Sequence, residues 1–130
     1  MTISVDFDGV IHRYSNGYQD GAIYDPPIKG AAEFIYDCLM VKGWPVFILS
    51  TRDTKQIKEW IVNVLFEGKE LPFSVEILPS YQKFWNKKKA LGITNKKLAA
   101  HIYIDDRGFK FEGSFDGLID QLEGFKTWQQ

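Results

Sequence analysis

The sequence predicts an α/β fold, an open and mainly parallel sheet with helices on both faces. Three observations predict it. Short apolar runs at residues 3–7, 45–49 and 101–104 read as buried strands. Stretches of helical spacing separate them, which is the alternation that builds a parallel sheet. Each run also ends in polar residues, and the carboxyl ends of parallel strands share one edge of the sheet.

The first strand delivers Asp6-Phe7-Asp8-Gly9, two carboxylates one residue apart, followed by a glycine that turns the backbone sharply. Asp-x-Asp-Gly also occurs as an ordinary surface turn. Beyond it, residues 11–14 and 18–24 flank Ser15-Asn16-Gly17, and Asn-Gly between two β-like runs is the strongest short hairpin signal, so a β-hairpin flap is expected here. Asp25-Pro26-Pro27 ends the flap, and Gly30 introduces a helix over 31–41 whose apolar positions are Phe34, Ile35, Cys38 and Leu39. Gly43 stops that helix, and the second strand runs to Leu49 and into Ser50-Thr51-Arg52-Asp53. Asp53 or Thr54 caps the next helix, with Ile57, Trp60, Ile61, Val64 and Leu65 on its apolar face. Pro72 precedes a short third strand at 73–78. Residues 81–91 read as a helix with Phe84, Trp85 and Leu91 inward and lysines outward. The fourth strand, 101–104, ends in Asp105-Asp106-Arg107-Gly108, a last helix is expected over 114–122, and the final few residues should fray.

At 130 residues the chain is read as one domain, and 45% hydrophobic content supplies a core. A net charge of -1 argues against a disordered tail or a globally basic nucleic-acid binder. Locally, Lys87, Lys88, Lys89, Lys96 and Lys97 gather against an acidic background. Cys38 is the one cysteine, which rules out a disulfide framework and a cysteine zinc site, and it reads as a buried structural thiol. With no signal-peptide pattern and no apolar run long enough for a bilayer, a soluble, cytoplasmic protein with no membrane partner is expected.

Three strands thus end in reactive groups: Asp6 and Asp8, then Ser50 with Arg52, then Asp105 and Asp106. Two carboxylates about 5 Å apart repel by roughly 3 kcal/mol at an effective dielectric near 20. A cluster of them protonates or splays unless a cation sits between. Hard oxygen ligands without histidine or cysteine point to Mg²⁺.

In this order, Asp-x-Asp-Gly, a strand ending in Ser-Thr, a lysine, and a strand ending in Asp-Asp resemble the haloacid dehalogenase (HAD) superfamily of phosphohydrolases, over about residues 2–117. More narrowly, Asp25-Pro26-Pro27, Ser50-Thr51-Arg52, Tyr103-Ile104-Asp105-Asp106-Arg107 and Phe111-Glu112-Gly113 are similar to small capless phage and bacterial members. The Ser-x-Arg and Asp-Asp-Arg elements also resemble the phosphatase half of phage polynucleotide kinase. The resemblance implies a Rossmann-like core and a Mg²⁺-dependent phosphatase. It makes Asp6 the nucleophile that forms an aspartyl-phosphate. Asp8 becomes the acid for the leaving oxygen, then the base for water, with its main-chain carbonyl on the metal. Ser50 would bind a phosphoryl oxygen, and Asp106, with Asp105 beside it, would bind the metal. Lys97 matches the family's lysine, although Leu98 stands where a proline is frequent; Lys96 and Lys87, Lys88 and Lys89 are the other candidates. Gly9, Thr51, Arg52 and Arg107 are candidates for substrate contact, the arginines because their forks suit phosphate oxygens or, equally, a structural carboxylate. His12 and Arg13, on the flap near the site, are further candidates for substrate contact, against the commoner reading of a lone histidine as an ordinary surface residue, and Phe109 and Phe111 read as edge packing before base stacking.

Neither insertion point used for a cap holds enough chain for one, which resembles the capless type. An open site of that kind suits a phosphate on a large molecule, such as a nucleotide or nucleic-acid end, unless a second copy of the chain supplies a lid. Two readings compete with the hydrolase: a receiver-like phosphoacceptor, whose adjacent acid pair would come first rather than last, and a catalytically retired binding protein. A P-loop kinase is disfavoured, since no glycine-rich Lys-Ser/Thr loop is present.

Overall fold

The computed structural model describes residues 1–125. Five strands, β1 (Ile3–Asp6), β2 (Val46–Leu49), β3 (Ser74–Ile77), β4 (Ala90–Thr94) and β5 (Ile102–Ile104), form one sheet in the order β3-β4-β2-β1-β5. All four pairings are parallel. Register places Ile3 beside Val46 and Ile102, and Asp6 beside Leu49, so the acidic end of β1 lies level with the end of β2.

Helix α1 (Ala31–Tyr36) continues as a π-helical turn, Asp37–Val41, and α2 (Thr54–Trp60) as another, Ile61–Leu65. Asp53 caps α2 as expected, its carboxylate accepting from the Lys55 N–H at 3.2 Å. Both helices pack on the same face of the sheet. There Ile35, Cys38 and Leu39 from the first, and Ile57, Trp60, Ile61 and Leu65 from the second, bury Val5, Ile48 and Ile93. Phe34 and Val64, expected inward, are exposed instead.

The expected covering of both faces by helices is therefore corrected, and chain topology supplies the reason. Parallel crossovers are right-handed. The steps β1 to β2 and β2 to β3 advance in one direction, which puts their helices on one side. The steps β3 to β4 and β4 to β5 run back the other way and must cross the opposite face. That face is covered by the irregular residues 78–89 and 95–101, which bring Leu78, Trp85 and Leu98 onto Phe47 and Ala90. A bridge between Phe84 and Ala99 ties the two segments together.

Two further expectations fail here. The helix over 81–91 does not form: Trp85 is buried, but Phe84 is exposed, and from Ala90 the chain enters β4, a strand the sequence concealed. Seven residues separate Phe84 from Leu91, a helical interval, and Gly92 interrupts the strand pattern. The strand is central and fully buried, so its two neighbours decide its conformation. Among the described residues no hairpin follows β1 either. Side chains satisfy the backbone there instead: Asp25 accepts from the Ser15 N–H at 2.8 Å, and the Tyr24 hydroxyl bonds Asn16 and Gly17. The last helix, α3 (Leu118–Gly124), starts later than expected and buries no residue. The expected fraying of the final residues lies outside those described. No described helix is long and apolar enough to cross a membrane.

Gly92 sits where the opposite face is tightest. A Cβ there would lie 2.7 Å from Leu78 Cδ1, 3.1 Å from Trp85 Cε2 and 3.2 Å from Phe47 Cβ. Leu78 can rotate away, but the indole and the Phe47 stem are held. Gly92→Ala is expected to cost about 1–3 kcal/mol of unfolding free energy, read as a lower urea midpoint with an unchanged slope.

Candidate active site

The carboxyl ends of β1, β2 and β5, with the loop after β4, open into one cavity of about 670 Å³. Asp6, Asp8, Ser50, Thr51, Lys97, Asp105 and Arg107 all line it. Ser4 and Tyr103, on the face of the sheet that carries no helix, belong to its walls as well. A smaller cavity of about 270 Å³ adjoins it, and Asp8, Tyr14 and Thr51 border both. Arg52, beside Tyr18 and Gln56, lines only the smaller one.

Three carboxylates converge. Asp6, Asp105 and Asp106 each offer an oxygen, and these lie within 4.8 Å of one another. Burial and the neighbouring charges of Asp105 and Asp106 push Asp6 up to about 7 from 3.8, against the Phe7 N–H that its Oδ1 accepts at 2.9 Å. Burial likewise raises Asp106. Both Asp106 oxygens are buried with no hydrogen-bond partner among the described residues. Orphaned anionic oxygens beside two more carboxylates, without a nitrogen or sulfur ligand in the group, are a donor set that fits a hard divalent cation.

Asp8 has the opposite environment. Its burial alone would raise it, but His12 and Arg52 hydrogen bonds and the guanidinium charge hold it below the usual carboxylate range. Arg52 Nε donates to Asp8 Oδ1 at 3.0 Å and to Oδ2 at 2.8 Å, and Nη1 donates to the Gly21 carbonyl at 2.7 Å. The guanidinium also lies 5.4 Å from the centre of the Tyr14 ring. Two carboxylates one residue apart thus hold protons differently, an arrangement associated with paired acid and base roles. Gly9 makes the turn that follows them possible, with φ at 86° and its N–H on the His12 carbonyl at 2.8 Å.

The remaining candidates separate on geometry. Ser50 is buried, and its Oγ accepts from the Arg52 N–H at 3.1 Å. Lys97 Nζ lies 4.8 Å from the centre of the Tyr103 ring, on the cavity wall. Of the five gathered lysines only Lys97 lines the cavity, and Lys87 pairs with Glu76 of β3 at 2.7 Å. The Arg107 N–H donates to Asp105 Oδ1 at 2.6 Å, which fixes that acidic turn.

The sequence reading missed one residue and misplaced a second. Asn95 Nδ2 donates to the Ser50 and Arg52 carbonyls at 2.6 and 2.8 Å, tying the end of β4 to the loop after β2. It was hidden with its strand. His12, expected on the surface, is fully buried and bonds Asp8 Oδ1 through Nδ1 at 2.8 Å. The apolar residues around it, Ile11 and Tyr14, were the available signal. No protein-family model, no curated protein and no solved structure matches this chain.

The raised Asp6 dictates a pH dependence. A carboxylate whose folded value exceeds its unfolded one favours folding while protonated, so its contribution is lost as pH rises from about 4 through about 7. Without divalent metal, Asp6→Asn is expected to melt a few °C above the wild type at pH 8, and the difference should shrink toward pH 4. Differential scanning calorimetry in EDTA reads both values. Added Mg²⁺ should raise the wild-type melting temperature and leave that of Asp6→Asn nearly unmoved.

Proposed function

We propose that this protein is a Mg²⁺-dependent phosphomonoester hydrolase acting through an aspartyl-phosphate on Asp6. The observation that carries this reading is the division of the acids: Asp6 stands with Asp105 and Asp106 in one carboxylate cluster, while Asp8 is held by His12 and Arg52. One site then contains a nucleophile and a separate proton carrier, each in its own environment.

In the proposed reaction the Asp6 carboxylate attacks phosphorus, and the bond from phosphorus to the leaving oxygen breaks. Asp8, on the wall common to the two cavities, gives that oxygen a proton. Phosphoryl oxygens bind at Ser50, and Arg52 turns toward them, which loosens the contact that keeps Asp8 ionised and lets it take up from solvent the proton that it gives to the leaving oxygen. Asp8 then takes a proton from water as it attacks the aspartyl-phosphate, releasing inorganic phosphate and restoring Asp6. Asp6, Asp106 and the Asp8 carbonyl would hold Mg²⁺, with Asp105 adjoining. When bound, the ion offsets repulsion between the anionic nucleophile and the anionic substrate. Lys97 adds positive charge at the cavity wall.

The open cavity and the absence of a cap in the sequence favour a phosphate on a larger molecule, with a nucleotide or nucleic-acid end as the favoured class. Phosphate release from p-nitrophenyl phosphate and from phosphorylated oligonucleotides is expected with Mg²⁺ and not with EDTA. Asp6→Asn should lower it at least ~10³-fold. If it hydrolyses unchanged, the nucleophile is wrong. A long-lived phosphoprotein after acetyl phosphate would instead favour the receiver-like reading.

The lysines give a second check. Lys97→Met should lower kcat/KM about 10²-fold, comparable to losing one charge-stabilising donor. Lys87→Met, which breaks only the pair with Glu76, should leave the steady-state constants within about twofold.

A further inference from the structure

We propose that His12 is a positioning residue that anchors Asp8 by Oδ1 and so leaves Oδ2 as the oxygen that carries the proton. The inference rests on the acid role given to Asp8 above and names the residue that makes this role possible.

His12 is fully buried, and its two ring nitrogens have different partners. Nε2 lies 3.0 Å from the Asp25 backbone nitrogen, which can only donate, so Nε2 is an acceptor and carries no hydrogen. The ring proton of the neutral imidazole must therefore be on Nδ1, where it is donated to Asp8 Oδ1 at 2.8 Å. An accepted main-chain hydrogen bond thereby selects the tautomer of a side chain, much as an outer partner orients a ligating histidine. Ring contacts hold the imidazole in place: Phe7 stacks at 5.6 Å, and Tyr24 and Trp60 meet it edge-on at 5.3 and 5.7 Å.

The two Asp8 oxygens are consequently not equivalent. Oδ1 accepts from His12 and from Arg52, whereas Oδ2 accepts, among the described residues, from Arg52. When Arg52 turns to a phosphoryl group, Oδ2 becomes free and Oδ1 does not. His12 then keeps the carboxylate on the wall between the two cavities, where the leaving oxygen passes. A general acid aimed in this way matters most for a leaving group that cannot depart as a stable anion.

The test compares an alkyl phosphate, which needs a proton on its leaving oxygen, with p-nitrophenyl phosphate, which needs little. His12→Phe retains the ring contacts and removes both nitrogens, while His12→Asn restores a donor near Nδ1. The ratio of kcat on the alkyl ester to kcat on the aryl ester should fall at least tenfold in His12→Phe and return to within about threefold of wild type in His12→Asn. A merely structural role would lower both rates together and leave the ratio unmoved, which overturns the proposal. Nitrogen-15 spectra of the wild-type histidines supply a readout independent of turnover and of variant folding. They should show His12 with its proton on Nδ1, shifted in Asp8→Asn; a proton on Nε2 overturns the proposal. Failure of the wild type to hydrolyse either ester would remove the phosphatase reading, and the spectra would still decide whether His12 holds Asp8.

Discussion

Repulsion among Asp6, Asp105 and Asp106 is the constraint on which the site depends. A parallel sheet delivers the ends of its strands to one edge, and here neighbouring strands β1 and β5 both end in acids. Oxygens within 4.8 Å of one another repel by roughly 3 kcal/mol per charged pair at an effective dielectric near 20. The chain offsets little of this itself. Asp6 receives the Phe7 N–H, but the buried Asp106 oxygens receive no donor among the described residues. An edge arranged in this way favours a bound proton or a cation, and the raised Asp6 and Asp106 express that preference.

Asp8 escapes the same fate through contacts distant in sequence. Arg52 arrives from the loop after β2, and its far end is fixed by the Gly21 carbonyl. His12 arrives from the turn after β1, fixed by the Asp25 backbone. The irregular segment between β1 and α1 therefore has a structural task that a regular hairpin would not perform: its main chain supplies the outer partners of both groups that hold Asp8. Side chains such as Asp25 and Tyr24 satisfy backbone groups that would otherwise pair in a ladder.

The uneven covering of the sheet shapes the cavity. Helices α1 and α2 seal one face, while the return crossovers protect only the β4 side of the other, around Phe47, Trp85 and Leu98. Over β1 and β5 that face contributes Ser4 and Tyr103 to the cavity wall. The crossover from β4 to β5 also carries Lys97 to the wall, while Lys87, in the preceding crossover, turns to Glu76. Lys87 and Lys97 are thus separated by which crossover carries them.

Much of this was legible in the chain itself. Apolar runs marked β1 and β2, because burial of a strand is written in consecutive residues, and the runs after Pro72 and before Asp105 marked the edge strands β3 and β5, which are only partly buried. Asp6, Asp8, Ser50 and Asp105 could be placed at a common edge from strand order and parallel direction alone. What depended on distant partners could not be read. The strand β4 looked helical because its conformation is imposed by pairing with β2 and β3, and Asn95 was hidden along with it. His12 looked like a surface residue because its burial comes from Phe7, Tyr24 and Trp60 closing around it. The sequence by itself determined an α/β sheet with acids at its edge, since those follow from local pattern and chain direction. Only the tertiary structure decided which face the helices cover, which lysine lines the cavity and which acid is held ionised, since each depends on groups that only the folded chain brings together.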